Sequence, residues 1–246
     1  DCIDQFSVKD HFRFGVSVAS ARWDDISKQW FITTDSGETI SCDYFVSAVG
    51  QLSRPSLPAI EGLDLFDGSL FHSAQWPREF KPHGLNIGVV GNGASAIQIV
   101  PELAKSASSV KIFQRSPNWI LPRHDHRYGV GWKFLNRYMP FCARIQRLFM
   151  YLAFEMRILF YNRRTFLNKA FTGWTRYRMR RKVPSQLAHE LIPSFPAGCK
   201  RVLLSNNFLE SLHRSNVELV TERIDQFTAS GIKTNSRSVP LDAIVM

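Results

Sequence analysis

The run Gly91-Asn92-Gly93-Ala94-Ser95-Ala96 spaces two glycines and a small residue as G-x-G-x-x-A. The first glycine permits a tight turn out of a strand, and the second lets an anion approach bare backbone. A small residue at the sixth position, Ala96, lets the following helix pack on the strand. Backbone N–H groups at such a helix start suit a pyrophosphate, so all six residues are candidate dinucleotide contacts. The end of the next apolar run selects the nucleotide: an acid there binds a ribose 2′-hydroxyl, whereas arginine suits a 2′-phosphate. The sequence has Phe113-Gln114-Arg115-Ser116 and no acid. Arg115 offers a fork of donors and Ser116 a hydroxyl, so NADPH is the expected ligand.

The elements around this turn give it the required setting. NIGVV (86–90) reads as a short buried strand, AIQIVPELAKSA (96–107) as a helix with Pro101 as a blemish, and SVKIFQ (109–114) as a second strand. Upstream, FGVSVASARW, KQWFITTDSG and ETISCDYFVSAVG alternate like sheet, with Asp35-Ser36-Gly37 as a tight turn. They predict a β-meander ending in a buried strand, Tyr44–Val49. Pro55 and Pro58 then break regular structure, and a loop containing FDGSLFHSAQWP runs on to about Pro82. Residues 132–182 read as helical, with 142–164 forming one long helix. Beyond Pro184, SNNFLESLHRS predicts a short helix capped by Ser205, and NVELV, GIKT and LDAIVM predict strands. The fold class is therefore α/β: a Rossmann-like NADP-binding domain with a helical insertion.

The chain has 246 residues, 44% apolar and 13% aromatic, which fits a folded core rather than disorder. Its net charge of +10 is uneven. Residues 120–182 hold 15 Lys/Arg against two acids, Asp125 and Glu155, leaving 16 against 19 elsewhere. Basic segments attract nucleic acid, anionic lipid or anionic cofactors, but no nucleic-acid module is recognisable and no nucleic-acid partner is expected. Cys2, Cys42, Cys142 and Cys199 form no CxxC pair, so neither a disulfide framework nor a metal site is predicted. The absence of an apolar run at the start predicts no signal peptide, and a cytoplasmic location follows.

The segment Phe66-Asp67-Gly68-Ser69-Leu70-Phe71-His72-Ser73-Ala74-Gln75-Trp76-Pro77 matches F-x-G-x-x-x-H-x-x-x-W-P. It resembles the fingerprint of type I Baeyer–Villiger monooxygenases, within the wider flavin-containing monooxygenases. AVGQLSRPSLPAIEG, QRSPNWILPR and PAGCKRVLLSNNF are similar to that family's flavin-contact, NADP 2′-phosphate and active-site arginine segments. The resemblance implies an enzyme in which NADPH reduces FAD and a peroxyflavin inserts one oxygen atom of O2 next to a ketone carbonyl. It implies that Arg201 is the catalytic cation, that Lys200 reaches the 2′-phosphate, and that Gln51 lies near the nicotinamide. Ala48 and Gly50 would contact the flavin, and Phe66, Gly68, His72, Trp76 and Pro77 would form the fingerprint. His72 is expected to organise structure rather than to act as a base.

Two departures stand out. Ala48-Val49-Gly50 has valine where the family usually has a hydroxyl residue, and a first G-x-G-x-x-G for FAD is absent, leaving the FAD site incomplete. The sequence therefore reads as an internal fragment, inactive alone, of a longer enzyme. The expected parts are 1–50 from a FAD-binding domain, 51–83 a connector, 84–120 and 186–246 the two halves of an NADPH-binding domain, and 121–185 a basic helical insertion. Alternative readings are an N- or S-oxygenating flavin monooxygenase, disfavoured by Trp76-Pro77, and a non-catalytic NADP-binding or membrane-surface protein. The helix 141–160 is expected to act as a lid over the cofactor cleft rather than to attach to a bilayer.

Overall fold

The computed structural model describes residues 2–50, 52, 54–123, 125, 127–162 and 165–246. It divides into two compact units, Asp1–Arg54 and Pro55–Met246.

The first unit holds a short helix α1 (Cys2–Gln5) and an antiparallel meander of β1 (Val18–Asp24), β2 (Gln29–Thr34) and β3 (Thr39–Cys42). Its register places Trp23 opposite Trp30, and Trp30 opposite Cys42. The β2–β3 turn closes through the Gly37 N–H on the Thr34 carbonyl (3.0 Å), with Gly37 at φ +84°. The expected buried strand Tyr44–Val49 does not form. Strands persist where neighbours take their backbone groups. No described strand pairs with this segment, and Tyr44, Val46 and Val49 are 89%, 82% and 74% exposed.

In the second unit the order is β4 (Ser69–Phe71), β5 (Asn86–Val90), α2 (Ala96–Leu103), β6 (Ser109–Phe113) and β7 (Ile120–Leu121). The helices α3 (Val130–Tyr138), α4 (Pro140–Glu155), α5 (Arg157–Tyr161), α6 (Phe166–Arg180) and α7 (Ala188–Leu191) follow. Then come β8 (Leu203–Leu204), α8 (Phe208–Ser211), β9 (Val217–Val220), β10 (Ile224–Thr228), β11 (Gly231–Thr234), β12 (Ser238–Pro240) and β13 (Ala243–Val245).

A five-stranded parallel sheet, ordered β4-β13-β5-β6-β9, organises this unit. From β5 the chain steps outward to β6 and β9, then returns to β13 on the other side of β5. The strand order thus reverses between β5 and β13, the switch point at which open α/β sheets bind ligands beyond the carboxyl ends of their strands. Alternation along each strand divides the core in two. Ile87, Val89, Val110, Ile112, Ala243 and Val245 face a cluster shared with α2, α8 and the end of α6. Phe113 and Ile244 face a second cluster with Phe66, Phe227, Ile232 and Val239, built on the antiparallel meander β10–β12.

Several local expectations are corrected. Ser69–Phe71, read as loop, is the sheet's edge strand; its partner β13 lies at the other end of the chain, so no local pattern marks it. The long helix 142–164 is divided near Met156, where the Leu159 N–H reaches back three residues to the Met156 carbonyl (3.2 Å), a tighter turn than the α ladder. Pro101 lies inside α2, which ends two residues later. The Ser205 Oγ accepts from the Phe208 N–H (3.2 Å) at the start of α8.

Candidate functional site

The turn 91–96 leaves β5 at the switch point and opens α2. Gly91 has φ +101°, a conformation that side chains rarely adopt, and its N–H bonds the Phe113 carbonyl at the end of β6 (2.9 Å). Gly93 is different: its φ is ordinary, and a Cβ built there meets nothing within 4 Å. Nothing in the chain itself requires glycine at 93. The backbone at this residue is open to a ligand, and the bare surface fits the dinucleotide pyrophosphate.

A polar network, missed in the sequence, fixes the turn. Asn92 Nδ2 donates to Gln114 Oε1 (2.6 Å) and to the Ser116 carbonyl (3.1 Å). Asn118 Nδ2 donates to the Asn92 carbonyl (3.1 Å) and to its Oδ1 (2.9 Å), and Gln114 Nε2 donates to the Glu190 carbonyl (2.8 Å). Gln114 is buried, so satisfying both ends of its amide matters energetically. The signal was a polar residue at the end of each of two adjacent parallel strands, legible only once β5 and β6 are known to pair.

The Lys200 Nζ donates to Ser116 Oγ at 2.7 Å and lies 5.0 Å from the Phe195 ring centre. The structure thus brings together two residues expected to share one phosphate. Arg115, beside them, is exposed and makes no hydrogen bond or ion pair among the described residues. Arg201 is likewise exposed and unpaired among the described residues, directly before β8 and its parallel partner β7. Ala48 and Gly50 belong to the first unit; both are exposed, and Gly50 has φ +75°. Gln51 lies outside the described residues.

The fingerprint segment builds the sheet edge next to the switch point. The Phe66 ring is buried, and a Cβ at Gly68 would stand 2.6 Å from that ring and collide with the Asp242 carbonyl. Phe71 continues inward from β4 and meets Trp76 edge-on (5.0 Å) and Phe80 (4.9 Å). His72 Nδ1 accepts from the Ala74 N–H (3.0 Å), so the imidazole caps the turn Ser73–Gln75. The Pro77 carbonyl accepts from the Phe80 N–H (3.2 Å) and keeps this aromatic cluster closed. The Ser73 N–H bonds the Met246 carbonyl (2.8 Å), and the Met246 N–H bonds that of Phe71 (3.0 Å), tying the fingerprint to the end of β13.

Within the helices 130–161, many apolar side chains face outward. α4 packs against α3 and α5 and leaves Phe141, Leu148, Phe149 and Phe154 more than half exposed. Among the described residues, no helix is long and apolar enough to cross a membrane, and no group of acids, histidines or cysteines could hold a metal ion.

Comparison with known proteins agrees with this geometry. A family model described as flavin-binding monooxygenase-like matches residues 3–187. The FAD-binding monooxygenase ktnD of Aspergillus niger is 38% identical over 265 residues, covering 100% of this chain and 43% of that protein. A Baeyer-Villiger monooxygenase of Streptomyces coelicolor is 32% identical over 254 residues, covering 98% and 47%. Among solved structures, OTEMO in complex with FAD and NADP superposes with a TM-score of 0.84 at 28% identity, over 99% of this chain and 54% of that one. Cyclohexanone monooxygenase from a Rhodococcus species, bound to NADP+, gives 0.81 at 25%, over 99% and 53%. The chain spans about half the length of the relatives it matches. With residues 3–187, three quarters of its length, matched by that model, the chain belongs to the flavin-binding monooxygenase-like family.

Proposed function

We propose that this chain is the NADPH-binding part, with a portion of the flavin-binding part, of a monooxygenase that inserts one oxygen atom of O2 beside a ketone carbonyl. The observation that carries the reading is the bare backbone at Gly91 and Gly93 at the switch point, with Lys200 and Ser116 joined by a hydrogen bond. Gly91, Asn92, Gly93, Ala94, Ser95 and Ala96 hold the pyrophosphate, and Arg115, Ser116 and Lys200 hold the 2′-phosphate. This division leaves residues 84–120 and 186–246 as the two halves of the nucleotide domain. Residues 121–185 are its insertion, 51–83 the connector and 1–50 the flavin-side remainder.

FAD, when bound, supplies the activation of oxygen. Ala48 and Gly50 offer it backbone groups, with Val49 adding no hydroxyl, so most of its site must come from outside these residues. Gln51 is assigned to the nicotinamide. Arg201 is exposed and free of partners among the described residues, which suits a cation that stabilises negative charge developing on the reacting oxygens. Phe66, Gly68, His72, Trp76 and Pro77 position β4 rather than react. Support for a ketone substrate comes from relatives named Baeyer-Villiger monooxygenase in Streptomyces coelicolor and Pseudomonas aeruginosa. The free thiols of Cys42, Cys142 and Cys199 favour a cytoplasmic location.

The test is a paired assay of the full-length protein with NADPH and either a cyclic ketone or a thioether. A lactone from the ketone supports the reading. Sulfoxide alone would move the enzyme to the heteroatom-oxygenating class, and no oxygenation of either would leave a nucleotide-binding role.

A second reading concerns the surface. Exposed Phe141, Leu148, Phe149 and Ile158 stand among Arg144, Arg147 and Arg157, a composition that attaches helices to anionic bilayers. Flotation with phosphatidylserine vesicles tests it; absence of salt-sensitive binding would remove it.

A further inference from the structure

The basic insertion has one helix whose position is set by the core. Thr165 Oγ1 caps α6 by accepting from the Asn168 N–H (3.2 Å). Asn168 Nδ2 donates to the Phe160 and Ala197 carbonyls (2.6 and 2.9 Å), and Thr172 Oγ1 accepts from the Ala197 N–H (3.1 Å). Farther along, Met179 is buried in the main core, as is Val183 just beyond the helix. α6 therefore presents a fixed face to the sheet domain.

On that helix Thr172, Arg176 and Arg180 follow one another at a spacing of four, so they share a face. Arg176 and Arg180 line a cleft of about 610 Å³ together with Gln114, Arg115, His189 and Glu190. The cleft opens where β6 and β9 end, immediately beside the residue pair that anchors the phosphate turn. Arg176 is oriented by its own contacts: Nη2 donates to the Pro193 carbonyl (3.4 Å), and the guanidinium lies 5.9 Å from the Trp119 ring centre.

Three arginines thus face one concave space whose lining includes a single acid, Glu190, and none of the three forms an ion pair among the described residues. Like charges at a spacing of four destabilise a helix. The helix dipole accounts for basic residues in the last turn, but not for Arg176, nor for a third arginine converging from the loop after β6. Such an arrangement is favourable once a dianion enters, because arginine forks bind phosphate oxygens in pairs.

We propose that α6 is part of the nucleotide site: Arg176 and Arg180, from the cleft that Arg115 also lines, add to the 2′-phosphate contacts assigned above to Arg115, Ser116 and Lys200. The helical insertion then takes part in choosing NADP(H) over NAD(H), alongside the end of β6. This inference rests on the NADPH reading above, and its test separates the two.

The experiment is calorimetric titration of the full-length protein with NADP+ and with NAD+, for the wild type and for Arg115→Gln, Arg176→Gln, Arg180→Gln and Arg178→Gln. Arg178 is the control, since it lies on the same helix but stacks on Trp174 at 5.0 Å. Arg176→Gln and Arg180→Gln are each expected to weaken NADP+ about tenfold, as befits loss of a charge-assisted hydrogen bond, while leaving NAD+ unchanged. Arg178→Gln should change neither. If Arg115→Gln alone abolishes the preference and the α6 variants match Arg178→Gln, the inference fails and the NADPH reading stands. Equal weakening of both nucleotides by the α6 variants also overturns it, because the arginines would then act on folding or general charge. A wild-type chain that does not prefer NADP+ overturns both.

Discussion

Lys200 and Ser116 stand 84 residues apart in the chain, and the lysine Nζ donates to the serine Oγ at 2.7 Å. The bond closes the loop before β8 onto the loop after β6, so a cation and a hydroxyl converge where the nucleotide's phosphate is expected. Replacing Lys200 by Met is expected to raise the Kd for NADP+ about tenfold with little effect on NAD+, since one exposed charge-assisted contact is lost. Lys200→Arg should retain most of the affinity. Equilibrium titration of both nucleotides checks this, and equal loss for both would show that Lys200 serves the fold.

The glycines at 93 and 68 should behave in opposite ways. Gly93→Ala puts its methyl into open space, so stability should hold or rise by up to about 1 kcal/mol through the unfolded chain. NADP+ affinity should nevertheless drop, because the methyl stands where the pyrophosphate approaches. Gly68→Ala meets the Phe66 ring and the Asp242 backbone, and should cost about 1–3 kcal/mol in urea unfolding, as overpacked sites do. A Gly93→Ala chain that binds NADP+ normally would argue against ligand approach at that residue.

Acid should loosen the junction of the parallel sheet with the β10–β12 meander. Arg237 reaches Glu218 (2.5 Å) and Glu222 (3.1 Å), and Lys111 reaches Glu218 (2.9 Å). Burial raises the Glu218 pKa, but the hydrogen bonds from Arg237 and Lys111 outweigh it and hold the carboxyl below the usual range. The Thr234 hydroxyl, more than Ser236 and Arg237, lowers that of Glu222 against its desolvation. A carboxyl with a lowered folded pKa contributes stability above its unfolded pKa of about 4.3, and that contribution is lost as pH falls through the folded value. Unfolding free energy should therefore decline below about pH 4, and Glu218→Gln with Glu222→Gln should flatten part of the decline. Because these groups are only part-buried, the effect is modest and weakens in salt. An identical slope in the double variant would assign the acid sensitivity elsewhere.

Much of the site was legible because its determinants are local. A strand, a glycine turn and a helix adjoin within residues 86–103, and the sterics of glycine together with the helix N-terminus prescribe the chemistry before any tertiary contact exists. The end of the next strand could also be read, since Arg115 and Ser116 follow an unmistakable apolar run. The fingerprint was legible as a pattern, but its physical meaning was not. That Phe66 must pack over Gly68, and that Ser69–Phe71 pairs with β13, depends on residues at the far end of the chain.

The tertiary structure decided the rest by supplying partners. Tyr44–Val49 has the alternation of a strand, yet a strand is stable only beside another, and none of the described strands pairs with it. Gln114 reads as an ordinary polar residue until parallel pairing of β5 with β6 sets it against Asn92. Arg176 and Arg180 carry no mark in the sequence; the anchoring of α6 places them along the cleft that Arg115 also lines. The sequence by itself determined the turn and the helix it opens, because backbone geometry and helix polarity act over a few residues. Only the tertiary structure decided which distant side chains meet beside it, because their meeting depends on sheet order and core packing across the second unit.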